Sequence, residues 1–229
     1  MLRDSIFPIV LSAVIFGACD SDPLDVPCPD VKAGELVVTE VRGKQTGNDT
    51  YGEWIELHNP TERTLDLTGL SLTVTKLDGS SDAALLVRTP ISLAAGAYVV
   101  LGRLDSVPLP AHLDYSYNAD VTRGLFDSGA IRVSSCGNEI DLAVYRNLPT
   151  KGSLILNGAL TPSVDDNSTD INWCVDDRVD LETPISGFKG SPKVANPFCD
   201  GATCTADDEC ASGACNLNTD PGVCGTTPT

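Results

Sequence analysis

Cysteine is the residue type in this sequence with the clearest capacity for chemistry. The 229-residue chain contains nine cysteines, which could bind zinc, act as nucleophiles or pair as disulfides. Zinc sites usually contain closely spaced Cys or His pairs. This chain has no Cys-x-x-Cys pair, and its two histidines, His58 and His112, lie far from the C-terminal cysteines. We therefore expect disulfides, and hence a protein of an oxidising compartment.

The remaining candidate groups form no recognisable catalytic set. His58 and His112 belong to neither a G-x-S-x-G nor an H-E-x-x-H motif. The net charge is −17, and so acidic a surface supplies many carboxylate pairs by chance. The same charge repels phosphate backbones, which argues against nucleic-acid binding. We expect no catalytic residue, no cofactor and no enzymatic activity.

One acidic loop could bind a metal. Asp165, Asn167 and Asp170 carry oxygen atoms of the kind that Ca²⁺ prefers. The loop lacks the glycine at position six and the glutamate at position twelve of an EF-hand, where Asp170 and Asp176 stand instead. The alternative is an Asx-rich turn whose side chains bond to their own backbone. We favour the turn over a calcium site.

The N-terminal residues indicate the cellular compartment of the protein. Residues 6–18 form an apolar stretch that is too short for a bilayer-spanning helix of about 20 residues, but has the length of a signal-peptide core. The stretch ends in Phe-Gly-Ala-Cys, which resembles the lipobox of bacterial lipoproteins, although Phe16 replaces the usual Leu. This resemblance implies a lipoprotein signal peptide over residues 1–18 and lipidation of Cys19. An ordinary secretory signal with an incidental cysteine is the alternative.

The body of the chain has the pattern of a β-protein. Short runs that alternate apolar and polar residues recur every 8–12 residues or so, separated by Gly, Pro or Asn, and no segment has helical periodicity over a dozen residues. The pattern predicts a sandwich or a barrel. The predicted strands cover residues 36–41, 54–57, 65–67, 70–74, 85–88, 97–101, 130–134, 140–145 and 153–156.

Several motifs in this region resemble the lamin tail domain family. They are ELVVTEV at residues 35–41, EWIELHNP at 53–60 and LDLTGLSL at 65–72, followed by weaker matches at 93–101, 172–174 and 190–197. Thr39-Glu40 departs from the family's usual Asn-Glu, and Leu70 stands where Trp is common. The resemblance covers residues 34–198 and implies an immunoglobulin-like β-sandwich, so the predicted fold class is all-β.

The motif residues have mainly structural roles in this interpretation. Trp54 is expected to anchor the core between the two sheets. Glu53 and Glu56 should lie on opposite faces of one strand, because strand side chains alternate. Thr68-Gly69 is expected to permit a tight turn. The full set of structural motif residues is Trp54, Glu56, Asn59, Gly69 and Trp173.

A short cysteine-rich tail follows the sandwich. Residues 199–224 contain five cysteines and five acidic residues but no Lys or Arg. The spacing Cys-x5-Cys-x-Ser-Gly-x-Cys at residues 204–215 resembles small cysteine-rich modules of the Dickkopf type. A segment this small cannot bury a core of its own, so disulfides must replace that burial.

With Cys19 lipidated, eight cysteines remain, and 105 pairings are possible. We propose that one bridge joins the ends of the sandwich, that a second links two of its segments, and that two bridges lie within the tail. In this order the bridges are Cys28–Cys199, Cys136–Cys174, Cys204–Cys215 and Cys210–Cys224.

The predicted organisation is a signal peptide (1–18), an acidic proline-rich tether (19–33), the sandwich (34–198) and a small disulfide-rich C-terminal tail (199–229). This organisation predicts a non-catalytic cell-envelope protein, held at a membrane by its lipid and presenting an interaction or adhesion module to an unknown protein or glycan. An accessory or inhibitory subunit of a secreted hydrolase and a calcium-dependent adhesin remain alternatives.

Overall fold

The computed structural model describes residues 26–47, 49–178, 189–219 and 221–225. The predicted signal peptide, the predicted lipidation site Cys19 and the first part of the predicted tether lie outside these residues. Within the described ranges, no helix has the length and apolarity needed to cross a bilayer.

Among the described residues, twelve strands build the main body of the protein, and a short 3-10 helix, Asp170–Asn172, precedes the last of them. The strands are β1 (Val37–Arg42), β2 (Glu53–His58), β3 (Leu65–Asp66), β4 (Ser71–Lys76), β5 (Asp82–Leu86), β6 (Ser92–Leu93), β7 (Tyr98–Arg103), β8 (Tyr115–Ser116), β9 (Gly129–Ser135), β10 (Asn138–Tyr145), β11 (Ser153–Leu156) and β12 (Trp173–Asp176). All nine predicted strands overlap these elements. The two-residue strands β6 and β8 and the edge strand β12 were not predicted as strands.

The strands form two main sheets. The larger has six strands in the order β12-β11-β1-β2-β7-β8, with only β7 and β8 parallel. The smaller has four antiparallel strands in the order β10-β9-β4-β5. The short strands β3 and β6 pair with each other outside the two sheets. This arrangement confirms the all-β, immunoglobulin-like sandwich.

The core lies between the two sheets. Leu72 and Val74 of β4 face it from the smaller sheet, and Ile55 and Leu57 of β2 face it from the larger. Each pair is two residues apart, as the period-two alternation of a strand requires. Burying one such side chain stabilises the fold by roughly 1.5–3 kcal/mol relative to leaving it exposed.

The chain before β1 closes one end of the sandwich. Val31 joins the core cluster, and the backbone N–H of Gly34 donates to the Ile140 carbonyl at 2.9 Å. The Ser135 hydroxyl donates to the Pro29 carbonyl at 2.7 Å. At Gly69 the backbone has a φ of +90°, and a Cβ built there would lie 1.8 Å from the Pro27 carbonyl oxygen. The predicted turn residue Gly69 is therefore also the place where the N-terminal segment packs closely.

Two of the predicted disulfides are wrong. The structure pairs Cys28 with Cys136 and Cys174 with Cys199, not Cys28 with Cys199 and Cys136 with Cys174. The N-terminal segment docks beside the turn between β9 and β10 that contains Cys136. In contrast, the Cys199 N–H donates to Asn157 at 2.9 Å, just after β11, the neighbour of the strand that carries Cys174. Spacing along the chain could not reveal these two contacts.

The tail is a small separate sheet with the pairing that the sequence predicted, Cys204–Cys215 and Cys210–Cys224. Its strands β13 (Thr203–Cys204), β14 (Cys215–Asn216) and β15 (Gly222–Cys224) have the order β13-β15-β14. Backbone hydrogen bonds join it to the sandwich through Phe198, whose N–H donates to the Glu209 carbonyl and whose carbonyl accepts from Ala211, at 2.6 and 2.7 Å. The tail is therefore packed on the domain.

Replacing Gly69 with alanine should destabilise the protein more than the same change at Gly79. Both glycines have a positive φ, but a Cβ at Gly79 would meet no atom within 4 Å. Backbone strain alone costs about 1–2 kcal/mol, and we expect the collision with Pro27 to add about 1–3 kcal/mol at Gly69. Denaturant unfolding measures both. Equal losses in the two variants would mean that the N-terminal segment does not pack against Gly69.

Candidate functional site

Trp54 is fully buried, but it does not lie between the sheets as predicted. It faces the outer side of the larger sheet, where it packs with Val100 and Leu113 in a second, smaller cluster. The Arg42 guanidinium lies 4.7 Å from the centre of its ring. The reason is that the chain after β7 folds back across the outer face, so that the tryptophan side of β2 also becomes interior.

Two carboxylic acids, Glu40 and Glu56, lie beside Trp54 on this outer face. They are direct partners across the β1–β2 pairing, and the side chains of both are 0 % exposed. We call these two residues the acid pair. A β-bulge brings them together, because the pairing shifts between Val38 and Glu40 and leaves Thr39 as an extra residue. The Thr39 hydroxyl then donates to Glu56 at 2.8 Å.

A segment near the end of the sandwich covers the acid pair. We call residues 189–198 the closing segment. Its backbone N–H groups donate to the carboxyl oxygens, from Ser191 to Glu40 at 3.3 Å and from Lys193 to Glu56 at 2.7 Å. At Gly190 a Cβ would lie 2.5 Å from Glu40 Oε1, so only glycine permits this approach.

Asn196 fixes the far part of the closing segment. Its side-chain amide donates to the carbonyls of Thr39 and Leu156, at 2.8 and 3.0 Å. Its own oxygen accepts from the Ser191 hydroxyl at 3.0 Å. The amide therefore bridges the bulge of β1, the end of β11 and the start of the closing segment.

Burial dominates the ionisation of the acid pair. It raises the pKa of Glu40 to about 7, partly opposed by the neighbouring Ser153 hydroxyl, while the nearby Asp176 raises it further. Burial likewise holds the pKa of Glu56 well above its usual range, and the charge of Glu40 adds to this effect. Paired carboxyls with raised pKa values are suited to proton transfer. This pair, however, has no exposed surface at which a substrate could meet it.

A third buried carboxyl joins the two sheets. Asp141 of β10 accepts the backbone N–H of Val38 at 2.7 Å and the side-chain amide of Asn167 at 2.7 Å. The Asn167 amide also donates to the Val38 carbonyl at 3.2 Å, and the Trp173 indole donates to the Asn167 carbonyl at 2.9 Å. Burial raises the pKa of Asp141 to about 6. Trp173 of the family motif therefore positions Asn167.

The structure does not bring the three candidate calcium ligands together. Asn167 is 0 % exposed and uses its amide inside the protein, whereas Asp165 and Asp170 are exposed. Asp170 pairs with Arg146 at 2.7 Å. The Asp165 carbonyl accepts the hydroxyl of Ser168 at 2.9 Å, as expected of a turn whose side chains bond to nearby backbone. Among the described residues, the carboxylates form no metal-sized cluster.

Asn59 and the two histidines also serve local structure. The Asn59 amide donates to the carbonyls of Arg63, Leu93 and Ala94, at 2.8, 3.2 and 2.9 Å. His112 is buried, and its Nε2 lies 2.9 Å from the Tyr51 carbonyl oxygen. The His58 ring stacks on that of Tyr98 with centroids 4.4 Å apart, and burial lowers the pKa of His58.

A cleft lies at the end of the sandwich opposite the N-terminal segment. It has a volume of about 500 Å³. Hydrogen bonds connect its walls. The Gln45 side-chain amide donates to the carbonyls of Gly43 and Pro149, and the Thr46 N–H donates to the Thr150 carbonyl at 2.9 Å. We call this the polar cleft. Its lining residues are Arg42, Gln45, Thr46, Asp49, Thr50, Tyr51, Thr150, Lys151, Asp177 and Lys189.

Sequence reasoning missed the acid pair, the closing segment's role and the polar cleft. A glutamate within the apolar run of residues 36–41 was a signal for a buried carboxyl at Glu40. The cleft had no such signal, because its walls come from segments about a hundred residues apart along the chain.

Replacing Asn167 with alanine should destabilise the protein, whereas Asp165→Ala should change its stability by less than about 0.5 kcal/mol, as for most surface residues. The first change leaves the buried Asp141 carboxyl short of a donor, which costs about 1.5–3 kcal/mol. Thermal and denaturant unfolding measure both. A calcium-dependent rise in Tm that Asp165→Ala abolishes would instead indicate a metal site in this loop.

The comparison with known proteins agrees with the architecture. No curated protein matches the sequence. The family model of the lamin tail domain matches residues 30–146, which is just over half of the chain. The match begins in the docked N-terminal segment and runs through β10, so it includes Trp54, the acid pair and Asn59. The chain therefore belongs to the lamin tail domain family.

Proposed function

We propose that this chain is a non-catalytic, lipid-anchored protein of the bacterial cell envelope, whose lamin tail sandwich is an interaction module. Its partner is a protein or a glycan, and the polar cleft is the binding site. The observation that carries this proposal is the position of the cleft relative to the N-terminal segment.

The cleft and the N-terminal segment lie at opposite ends of the sandwich. β1 runs from the docked N-terminal segment towards the cleft, where it ends at Arg42, and β9 runs the other way, ending beside Cys136. A strand of six or seven residues is about 20 Å long. An anchor that precedes the domain therefore leaves the cleft pointing away from the membrane.

The predicted anchor would also hold the domain near the membrane. Eight residues lie between Cys19 and Cys28, and a fully extended chain over these nine Cα–Cα steps spans at most about 30 Å. The bridge between Cys28 and Cys136 then connects the tether directly to the β9–β10 hairpin. Mechanical tension on the tether would therefore be transmitted through this disulfide to the hairpin.

Several contacts support a binding role rather than a catalytic one. The acid pair is sealed beneath the closing segment, and His112 is buried against Tyr51 and Trp54. The polar cleft contains three cations and two carboxylates, of which Arg42 and Asp49 already bind each other at 3.1 Å. Hydroxyl, amide and paired charged groups of this kind suit the polar surface of a glycan or a protein. The net charge of −17 argues against a nucleic acid.

Replacing Cys19 with serine tests the anchor. We expect the wild-type protein in the membrane fraction and the variant in the soluble fraction, because serine cannot carry the thioether-linked lipid. Ser21→Ala is the matched control and should stay with the membrane. Intact-mass measurement should show a mature protein that starts at Cys19 with added acyl chains. A Cys19→Ser protein that remains membrane-bound would contradict the anchor.

Site-specific photocrosslinking on intact cells tests the cleft. A photoreactive residue at Thr150, in the cleft, should capture the partner, whereas one at the exposed Asn138, at the tether end, should not. The same experiment on a chain lacking residues 200–229 keeps both sandwich disulfides, because the tail bridges lie wholly within the deleted part. Capture that survives this deletion supports the cleft. Capture lost with the tail would indicate an inhibitor-type contact, and capture lost with EDTA a calcium-dependent adhesin.

A further inference from the structure

The acid pair has a consequence for the dynamics of the closing segment. We propose that Glu40 and Glu56 form a proton-dependent latch: the closing segment stays on the sheet while the pair keeps a proton, and it detaches when both carboxyls ionise. This inference concerns a different part of the molecule from the polar cleft and stands independently of it.

The geometry of the pair carries the proposal. The two residues are cross-strand partners, and side chains in such positions have Cβ atoms about 4.5–5.5 Å apart. Neutral donors supply hydrogen bonds to their carboxyl oxygens, namely the N–H groups of Ser191 and Lys193 and the Thr39 hydroxyl. Two adjacent buried carboxylates repel each other strongly, so one of them retains a proton above the usual range.

The cations near the pair are engaged with other carboxylates. From β1, the Arg42 guanidinium attracts Glu40 but is bonded to Asp49 at 3.1 Å. From the closing segment, the Lys193 ammonium turns outward to Asp114 at 2.8 Å.

The other ionisable groups around the pair do not offset its charge. On β12, Asp176 faces Glu40 and is itself held by Arg178 at 3.1 Å. Asp114 of the loop before β8 adds repulsion at Glu56. Burial raises the pKa of Tyr98 on β7, and the charge of Glu56 adds to this effect. The Ser153 and Trp54 side chains, from β11 and β2, give Glu40 only neutral contacts.

The direction of the pH effect follows from burial. The pKa of Glu40 is about 7 under the closing segment and returns towards its ordinary value of 4.5 when the segment lifts and water reaches the carboxyl. The open form therefore binds fewer protons between these pH values. Opening becomes more favourable as pH rises through that window, by up to tenfold in the equilibrium constant per pH unit for one proton. The contribution of Glu40 is absent well below pH 4.5 and complete above about pH 7, and ionisation of Glu56, whose pKa burial also raises, adds to the effect in the same direction.

Amide hydrogen exchange of the full chain measures the opening directly. Ser191 and Lys193 donate their N–H groups to the pair, so their protection, corrected for intrinsic exchange, should fall by up to tenfold per pH unit between about pH 5 and 7. In E40Q the pH dependence should shrink to the part that the buried Glu56 still contributes. E139Q, at an exposed glutamate on β10, should retain the wild-type profile. Ionisation of the buried Asp141, whose pKa is raised to about 6, also lowers the global free energy of unfolding as pH rises. The measurement must therefore report on the closing segment alone.

A second measurement covers the case in which E40Q fails to fold. Carbon-13 labelling of glutamate side chains reports carboxyl titration in the wild-type protein, and two of these carboxyls should titrate well above pH 5. Titration of two carboxyls well above pH 5, together with pH-dependent exchange at Ser191 and Lys193, supports the latch. The same titration with protection that does not change with pH would overturn it. Titration of both carboxyls in the usual range of glutamate would also overturn it.

Discussion

The bulge at Thr39 is the local feature on which the larger sheet depends. Without it, Val38 and Val41, three residues apart, would face opposite sides of the sheet, yet both belong to the core between the sheets. The extra residue allows Thr39 and Glu40 to turn to the outer face together, opposite Glu56. One inserted residue thus preserves the apolar core and places the acid pair on the other side of the sheet.

Around the acid pair, the larger sheet is buried on both faces. All six residues of β1 and all six of β2 are buried, whereas β4 of the smaller sheet alternates between buried and partly exposed positions. Apolar cover for the outer face comes from Leu113 against Trp54, and polar cover comes from the closing segment over the acid pair. Burying carboxyls is costly unless donors meet them. Their presence therefore ties the closing segment to a single position, because only there do its N–H groups reach them.

The sequence predicted what depends on local periodicity and local motifs. Alternation along residues 70–74 and 130–134 was enough to place β4 and β9, and Thr68-Gly69 indicated the turn before β4. The paired cysteines of the tail are 11 and 14 residues apart, and the two proposed tail bridges are confirmed. The placement of Trp54 between the two sheets was wrong, because alternation assigns a residue to a face but does not tell which face will later be covered. The Cys28 bridge was wrong because it depends on how segments 108 residues apart dock.

The second sandwich disulfide explains how a few hydrogen bonds can hold the closing segment. Cys174 and Cys199 are 25 residues apart, and the closing segment lies inside the loop that they close. Loop closure limits how far a detached segment can move, so re-docking starts from a small set of conformations. The Asn196 contacts to Thr39 and Leu156 do not depend on ionisation, and the tail holds Phe198 from the other side. Opening should therefore be confined to the stretch around Ser191 and Lys193, where the acid pair is the main attachment.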